Sequence, residues 1–114
     1  MKSYLILAGS LAAMVGCAAV PVLKTEGSTS GIRAAEAIGA AKVPQAALHL
    51  QLAKEELGHA KTLAADGRSE QASSFLLRAE ADAELAVALS REDAEKSAAR
   101  AAVDQVRQLR QDNK

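Results

Sequence analysis

The sequence predicts an all-α fold, either an antiparallel alanine-rich helical hairpin or a short three-helix bundle with a long C-terminal helix. From Ile32 onward the chain reads as helix-forming, and apolar residues recur at alternating intervals of four and three. Hydrophobic residues make up 49% of the 114, yet aromatic residues only 2%, because alanine dominates. Such a core gains stability from helix propensity and close helix approach more than from bulky side chains.

The second of three predicted helices has the clearest pattern and runs from Pro44 to Ala65. Proline suits a first helical turn and pushes the preceding Val43 out of the α region. The segment "ADGRSEQ" then breaks the pattern, with Gly67 as the C-terminal stop and Ser69 as the next N-cap. The residues that we expect on its buried stripe are Ala46, Leu50, Ala53, Leu57, Ala60 and Ala64.

The third helix can run from about Glu70 to Gln111 without a proline or glycine. Its stripe repeats the same spacing, and the short loop before it predicts an antiparallel hairpin. At ~1.5 Å per residue it spans ~63 Å, against ~33 Å for the second helix, so about half of it overhangs. The expected stripe comprises Ala72, Leu76, Ala79, Ala83 and Ala86.

A shorter first helix is expected from Ser30 to Lys42. If the chain reverses at Pro44, this helix covers the same half of the third helix as the second does, giving a three-helix bundle with an overhang. If the chain only kinks there, the first helix extends the second and covers part of the overhang. We prefer the reversal.

Composition disfavours several classes of function. Fourteen basic and fourteen acidic residues cancel, and almost no aromatic residues are present to stack on bases, so we expect no nucleic-acid partner. The single cysteine excludes an internal disulfide and a multi-cysteine metal site. Glu55, Glu56 and His59 can neighbour on one helix as a weak metal site, but a solvated charge pair is the preferred interpretation.

We therefore expect neither a resident cofactor nor catalysis. The sequence contains no Ser/His/Asp spacing, no phosphate-cradling glycine loop and no sign of a catalytic cysteine. Paired carboxylates such as those of Asp82 and Glu84 lie among basic residues on a polar surface.

The N-terminus has the pattern of a secretory signal. Lys2 is followed by an uncharged, mostly apolar run, "YLILAGSLAAMV", which is too short for a stable membrane span. The run ends in "MVGC", which contains the only cysteine, Cys17. This stretch resembles the lipobox of bacterial lipoproteins, with Met14, Val15 and Gly16 before the cysteine.

That resemblance implies that residues 1–16 are a signal peptide and that Cys17 becomes the first residue of the mature chain. Its thiol would carry diacylglycerol and its amine an acyl chain, which together suffice for stable anchoring. The alternative is an uncleaved anchor helix with an inert cysteine. In such lipoproteins an Asp after the cysteine favours the inner membrane. Ala18 therefore favours the periplasmic face of the outer membrane.

Residues 17–30 are expected to form a flexible tether and residues 31–114 the helical domain. Pro21, two glycines and a Ser/Thr cluster argue against regular structure between Ala18 and Gly31. A flexible coil of about fourteen residues would hold the body on the order of 20 Å from the membrane.

The central block, Val43 to Leu89, resembles an uncharacterised family of alanine-rich helical-hairpin domains in Gram-negative envelope lipoproteins. The similar elements are the opening proline, "LAKEELGHAKTL", the glycine turn and "AEADAELA". In related proteins this domain can precede a peptidoglycan-binding OmpA-like module. The chain given ends without that module, so the resemblance implies location and fold but no activity.

The half of the third helix that extends beyond the second helix is the expected partner-binding region. Its larger apolar residues are Val103, Val106 and Leu109. One interpretation is a frayed alanine-rich helix held by charge pairs. The other is a coiled-coil contact with a second copy or another envelope protein. The leading functional hypothesis is thus a lipid-anchored scaffold or adaptor in the outer membrane.

A second hypothesis concerns Lys114, the last residue of the sequence given. Some small helical outer-membrane lipoproteins, of the murein-lipoprotein type, end in a lysine joined to peptidoglycan through its ε-amine. A long helix with a lipid at one end and Lys114 at the other has the parts for such a bridge. Peptidoglycan is therefore an alternative partner.

Overall fold

The computed structural model describes residues 22–113, and within them the chain is all-α. Its helices are α1 (Glu26–Ala37), a 3₁₀ turn (Ala40–Lys42), α2 (Pro44–Ala65) and α3 (Ser69–Asp112). The predicted fold class is confirmed in its three-helix form, with a long C-terminal helix. Met14, Val15, Gly16, Cys17 and Lys114 lie outside the described residues.

A glycine turn joins α2 to α3, as the sequence predicts. Gly67 adopts φ +76°, the left-handed conformation that ends many helices. The N–H groups of Gly67 and Arg68 donate to the carbonyls of Ala64 and Leu63, at 3.1 and 2.9 Å, which is a Schellman motif. The prediction that Ser69 caps α3 is wrong: Arg68 occupies the N-cap without a side-chain hydrogen bond, and Ser69 begins the helix.

The core between the helices is built mainly from alanine. Within residues 22–113, nine of the twelve buried apolar residues are alanines, each with 0% exposure, which shows that the helix backbones approach closely. The whole predicted stripe of α3 is buried, and that of α2 is buried except for the half-buried Leu57 and Ala64. The remaining three buried apolar residues are Ile32, Leu50 and Leu76.

The first helix begins four residues before the predicted Ser30, at Glu26, and ends at Ala37. The expected tether was therefore too long, because its last residues are helical. Small residues that suggested a loop are contact residues: Ser28 Oγ donates to the Leu76 carbonyl at 3.0 Å. A Cβ on Gly31 would lie 3.0 Å from the Cβ of Ala83. Their small size lets α1 pack on α3.

The chain reverses between α1 and α2, and the kinked alternative is wrong. Gly39 turns the chain with φ +84°, and Val43 is extended immediately before Pro44. Residues 28 and 31 of α1 contact residues 76 and 83 of α3, so these helices are parallel. A Lys54–Glu36 ion pair ties α2 to α1. The three helices form a bundle that ends near Ser90.

Beyond the bundle, α3 continues alone. Every residue from Arg91 to Asn113 is exposed, whereas Ser90 is buried and donates its hydroxyl to the Ala86 carbonyl at 2.8 Å. At ~1.5 Å per residue this free helix end is ~35 Å long. We call residues 91–113 the overhang. Within residues 22–113, no helix has both the length and the apolar character needed to cross a membrane.

Candidate partner surface on the overhang

An apolar stripe runs along the overhang. Its larger members are those that the sequence singled out, Val103, Val106 and Leu109, with exposed fractions of 50%, 49% and 56%. Because a lone helix cannot bury them, they are available to a partner. We define the outer stripe as Ala99, Ala102, Val103, Val106 and Leu109.

The outer stripe does not continue the seam that α3 buries in the bundle. Val106 follows Ala86 by twenty residues, which turns it about 200° around the helix, to the opposite side. The positions that do continue the seam are polar, namely Asp93, Ser97, Arg100 and Asp104. The bundle seam therefore ends at Ser90, and the outer stripe is a separate surface.

Charges on the overhang are divided along its length. Three carboxylates lie near the bundle, on Glu92, Asp93 and Glu95, with Lys96 paired to Glu92. Three guanidinium groups lie further out, on Arg100, Arg107 and Arg110. Arg107 pairs with Asp104 at 3.2 Å. Because Arg91 also lies in the inner part and Asp112 in the outer part, the net charge is −1 over residues 91–96 and +1 over residues 97–113.

The shape of the outer stripe suits a protein partner rather than a small molecule. Two shallow depressions of about 330 and 340 Å³ flank Val103, and both are bounded by side chains of α3 alone. Small-molecule sites enclose most of their ligand. A single exposed helix encloses little, but its apolar ridge can pack against another helix.

A second polar group of residues, which sequence reasoning missed, lies at the α2–α3 seam. We call His49, Glu56, Arg78 and Asp82 the seam cluster. His49 Nδ1 lies 2.7 Å from Asp82 Oδ1, and Arg78 Nη2 lies 2.9 Å from Glu56 Oε1. Both pairs join α2 to α3 and so fix the antiparallel register of the two helices.

Glu56 is not the solvated residue that the sequence suggested. It is 7% exposed and turns into the seam, while its expected neighbour His59 packs against Phe75, with 5.6 Å between ring centroids. A signal was present in the sequence, because Glu56 lies three residues after Ala53 and four before Ala60, both on the buried stripe. Among residues 22–113, no three His, Cys, Asp or Glu side chains cluster so as to hold a metal ion.

Burial changes the electrostatics of Glu56. Its pKa is raised above 4.5, chiefly because desolvation penalises the carboxylate and further because the Asp82 carboxyl group is close. Arg78 opposes this shift through its positive charge. Glu56 Oε2 is buried and makes no hydrogen bond within the described part of the chain. The two polar pairs of the cluster join α2 to α3, so the cluster contributes to how these helices pack.

Comparison of the chain with protein-family models, with curated proteins and with solved structures found no match. The resemblance to alanine-rich hairpin domains of envelope lipoproteins therefore stays a prediction from the sequence.

Proposed function

We propose that the protein is a lipid-anchored periplasmic protein of the outer membrane, a non-catalytic helical scaffold or adaptor that binds an envelope partner through the outer stripe. The observation that carries the proposal is the overhang itself. It is about 35 Å of helix with an apolar stripe that the bundle leaves uncovered, on the side of α3 opposite to the bundle seam.

The position of the chain's N-terminal side supports this arrangement. Val22 and Lys24 line a groove with Ser69 and Ser73, so the chain enters the bundle beside the α2–α3 turn. Val103 lies 34 residues along α3 from Ser69, or about 51 Å. A lipid on Cys17 would thus hold the turn end of the bundle towards the membrane. The overhang would then be the part of the described chain that is farthest from the anchor.

The anchor is tested by mass spectrometry of the mature protein from membranes. We expect a chain that begins at Cys17 and carries diacylglycerol and an N-acyl group, and we expect Cys17→Ser to prevent this processing. An intact, unmodified chain that retains Met1 in the membrane would overturn the lipoprotein proposal.

The adaptor role is tested by crosslinking in membranes. We expect the wild-type chain to yield a crosslinked product larger than the chain itself, and Val106→Glu to abolish that product. Gln108→Glu is the matched control, because Gln108 is exposed on the overhang but lies outside the outer stripe. A product that survives Val106→Glu unchanged would argue against the outer stripe as the binding surface.

A wall tether is the second candidate, and the unbroken course of α3 favours it. The helix runs from Ser69 to Asp112, which is about 66 Å, and its far end points away from the chain's entry beside the turn. In the sequence, Lys114 follows the end of this helix by two residues. Muramidase digestion and blotting test this candidate: a muropeptide-bound form that Lys114→Ala abolishes supports it, and absence of that form excludes it.

A further inference from the structure

We propose that the occupant of the outer stripe is a second copy of this chain, paired antiparallel with it through the overhang. The inference rests on the proposed role of the outer stripe as a partner surface and names that partner. Its basis is the order of small and large residues along the stripe, together with the positions of Glu92, Glu95 and Arg110 relative to it.

When two copies of the overhang are aligned antiparallel, the large apolar residues of one stripe lie opposite the small residues of the other. Ala99, Ala102, Val106 and Leu109 are spaced by three, four and three, the interval of a coiled-coil seam. One antiparallel alignment sets Ala99 against Leu109 of the second copy and Ala102 against Val106 of the second copy. Each large side chain then faces a small one, which fills the space between closely approaching helices.

The charges distinguish antiparallel from parallel pairing. Glu92 and Glu95 continue the spacing of the stripe towards the bundle, so a parallel pair would bring these carboxylates against their own copies in the seam. The antiparallel alignment instead sets Glu95 within one helical turn of Arg110 of the second copy. Two-fold symmetry forms this charge pair twice, once at each end of the contact.

The contact is short, so the dimer depends on concentration. The stripe covers only about ten residues of each helix, or ~15 Å of its length. A helix contact of this length buries less area than stable protein interfaces do. Anchoring both copies in one membrane would raise their effective concentration and favour the pair. In such a pair the two bundles lie at opposite ends of a rod, so two copies anchored in one membrane pair with their overhangs lying along its surface.

Sedimentation velocity of the full chain in detergent, with charge-swap variants, tests the pairing. We expect a dimer that forms as concentration rises, and that is weakened about tenfold or more by Glu95→Arg or by Arg110→Glu. The double variant, which combines Glu95→Arg with Arg110→Glu, restores association, because the exchanged charges again face each other with opposite signs. Gln108→Glu, outside the stripe, leaves association unchanged.

A chain that stays monomeric over about a thousandfold range of concentration would overturn the inference. So would a double variant as weak as the single ones, because parallel pairing gives no restoration. A dimer insensitive to Val106→Glu would also count against it, since contact then arises outside the stripe.

Crosslinking in membranes separates failure of this inference from failure of the proposed function. If the chain is monomeric in detergent, yet Val106→Glu abolishes a crosslinked product in membranes that mass spectrometry shows to contain a different protein, the partner is that protein. The outer stripe then keeps its proposed role, and only the self-pairing is wrong. If neither measurement responds to Val106→Glu, both proposals fail.

Discussion

His49 Nδ1 on α2 lies 2.7 Å from Asp82 Oδ1 on α3, across a seam that is otherwise lined mainly by alanine. Alanine stripes fit together in several registers, because their side chains are small and alike. A polar pair that forms in only one register selects that register, as buried polar residues do in coiled coils. Together with the Arg78–Glu56 pair, it holds α2 and α3 in a single alignment.

The Glu56→Gln variant tests the raised pKa of Glu56. A carboxyl group whose folded-state pKa is raised contributes stability that is fully present below its unfolded-state value, here 4.5, and is lost as pH rises through the folded-state value. We therefore expect the unfolding free energy of Glu56→Gln, relative to wild type, to increase from below pH 4.5 to pH 7. Urea unfolding followed by circular dichroism at several pH values measures this difference.

Glu55→Gln is the control for that experiment, because Glu55 is exposed beside Glu56 and bonds only to Gln51 on the same helix. Its effect should stay within about 0.5 kcal/mol at each pH. The raised pKa of Glu56 would be contradicted if the unfolding free energy of Glu56→Gln, relative to wild type, were constant with pH or increased as pH falls.

Enlarging a seam alanine should separate the helices. Ala79 is 0% exposed between closely packed backbones, so Ala79→Leu has no space for its added carbons. We expect a loss of about 2 kcal/mol or more of unfolding free energy. Ala81→Leu, on an exposed position of α3, should change it by less than about 0.5 kcal/mol. Equal effects of the two variants would mean that the seam is not closely packed.

Substitution by alanine at two glycines of the hairpin should change the unfolding free energy in opposite directions. Gly67 has φ +76° and open space where a Cβ would lie, so Gly67→Ala costs about 1 kcal/mol through backbone conformation alone. Gly58 lies in the middle of α2, also with open space, and Gly58→Ala should stabilise by about 0.5–1 kcal/mol. Denaturant midpoints measure both effects, and a shared sign would refute the assignment of the turn.

Much of this fold follows from local rules that operate within one helix. The α2 bounds, both stripes and the Gly67 turn were predictable, because spacing and backbone conformation determine them. The start of α1 was not predictable in this way. Gly31 and Ser28 act there through contact with α3, and a single segment carries no information on such a contact. The seam cluster was missed for the same reason, since its pairs exist only once α2 and α3 are in register.

Ser28→Ala tests the contact that the sequence failed to indicate. The variant removes the buried hydrogen bond to the Leu76 carbonyl and leaves that acceptor without this donor, at a cost of about 1 kcal/mol. Ser30→Ala is the matched change, because Ser30 is exposed and bonds only within α1, to the Gly27 carbonyl. If both variants unfold at the same urea concentration, α1 does not pack on α3 as described.

In an isolated molecule, the overhang should contribute to the helical content but not to the resistance of the bundle to denaturant. Residues 91–113 are all exposed, so their removal takes no buried contact from the bundle. A chain that ends at Lys96 should keep the denaturant midpoint of the full chain, measured at a concentration too low for association, while its helical circular-dichroism signal falls. Amide hydrogens of the overhang should likewise exchange faster than those of the bundle, because they open locally without global unfolding. A lower midpoint for the truncated chain would show that the overhang folds back on the bundle, and the outer stripe would then not be free to bind a partner.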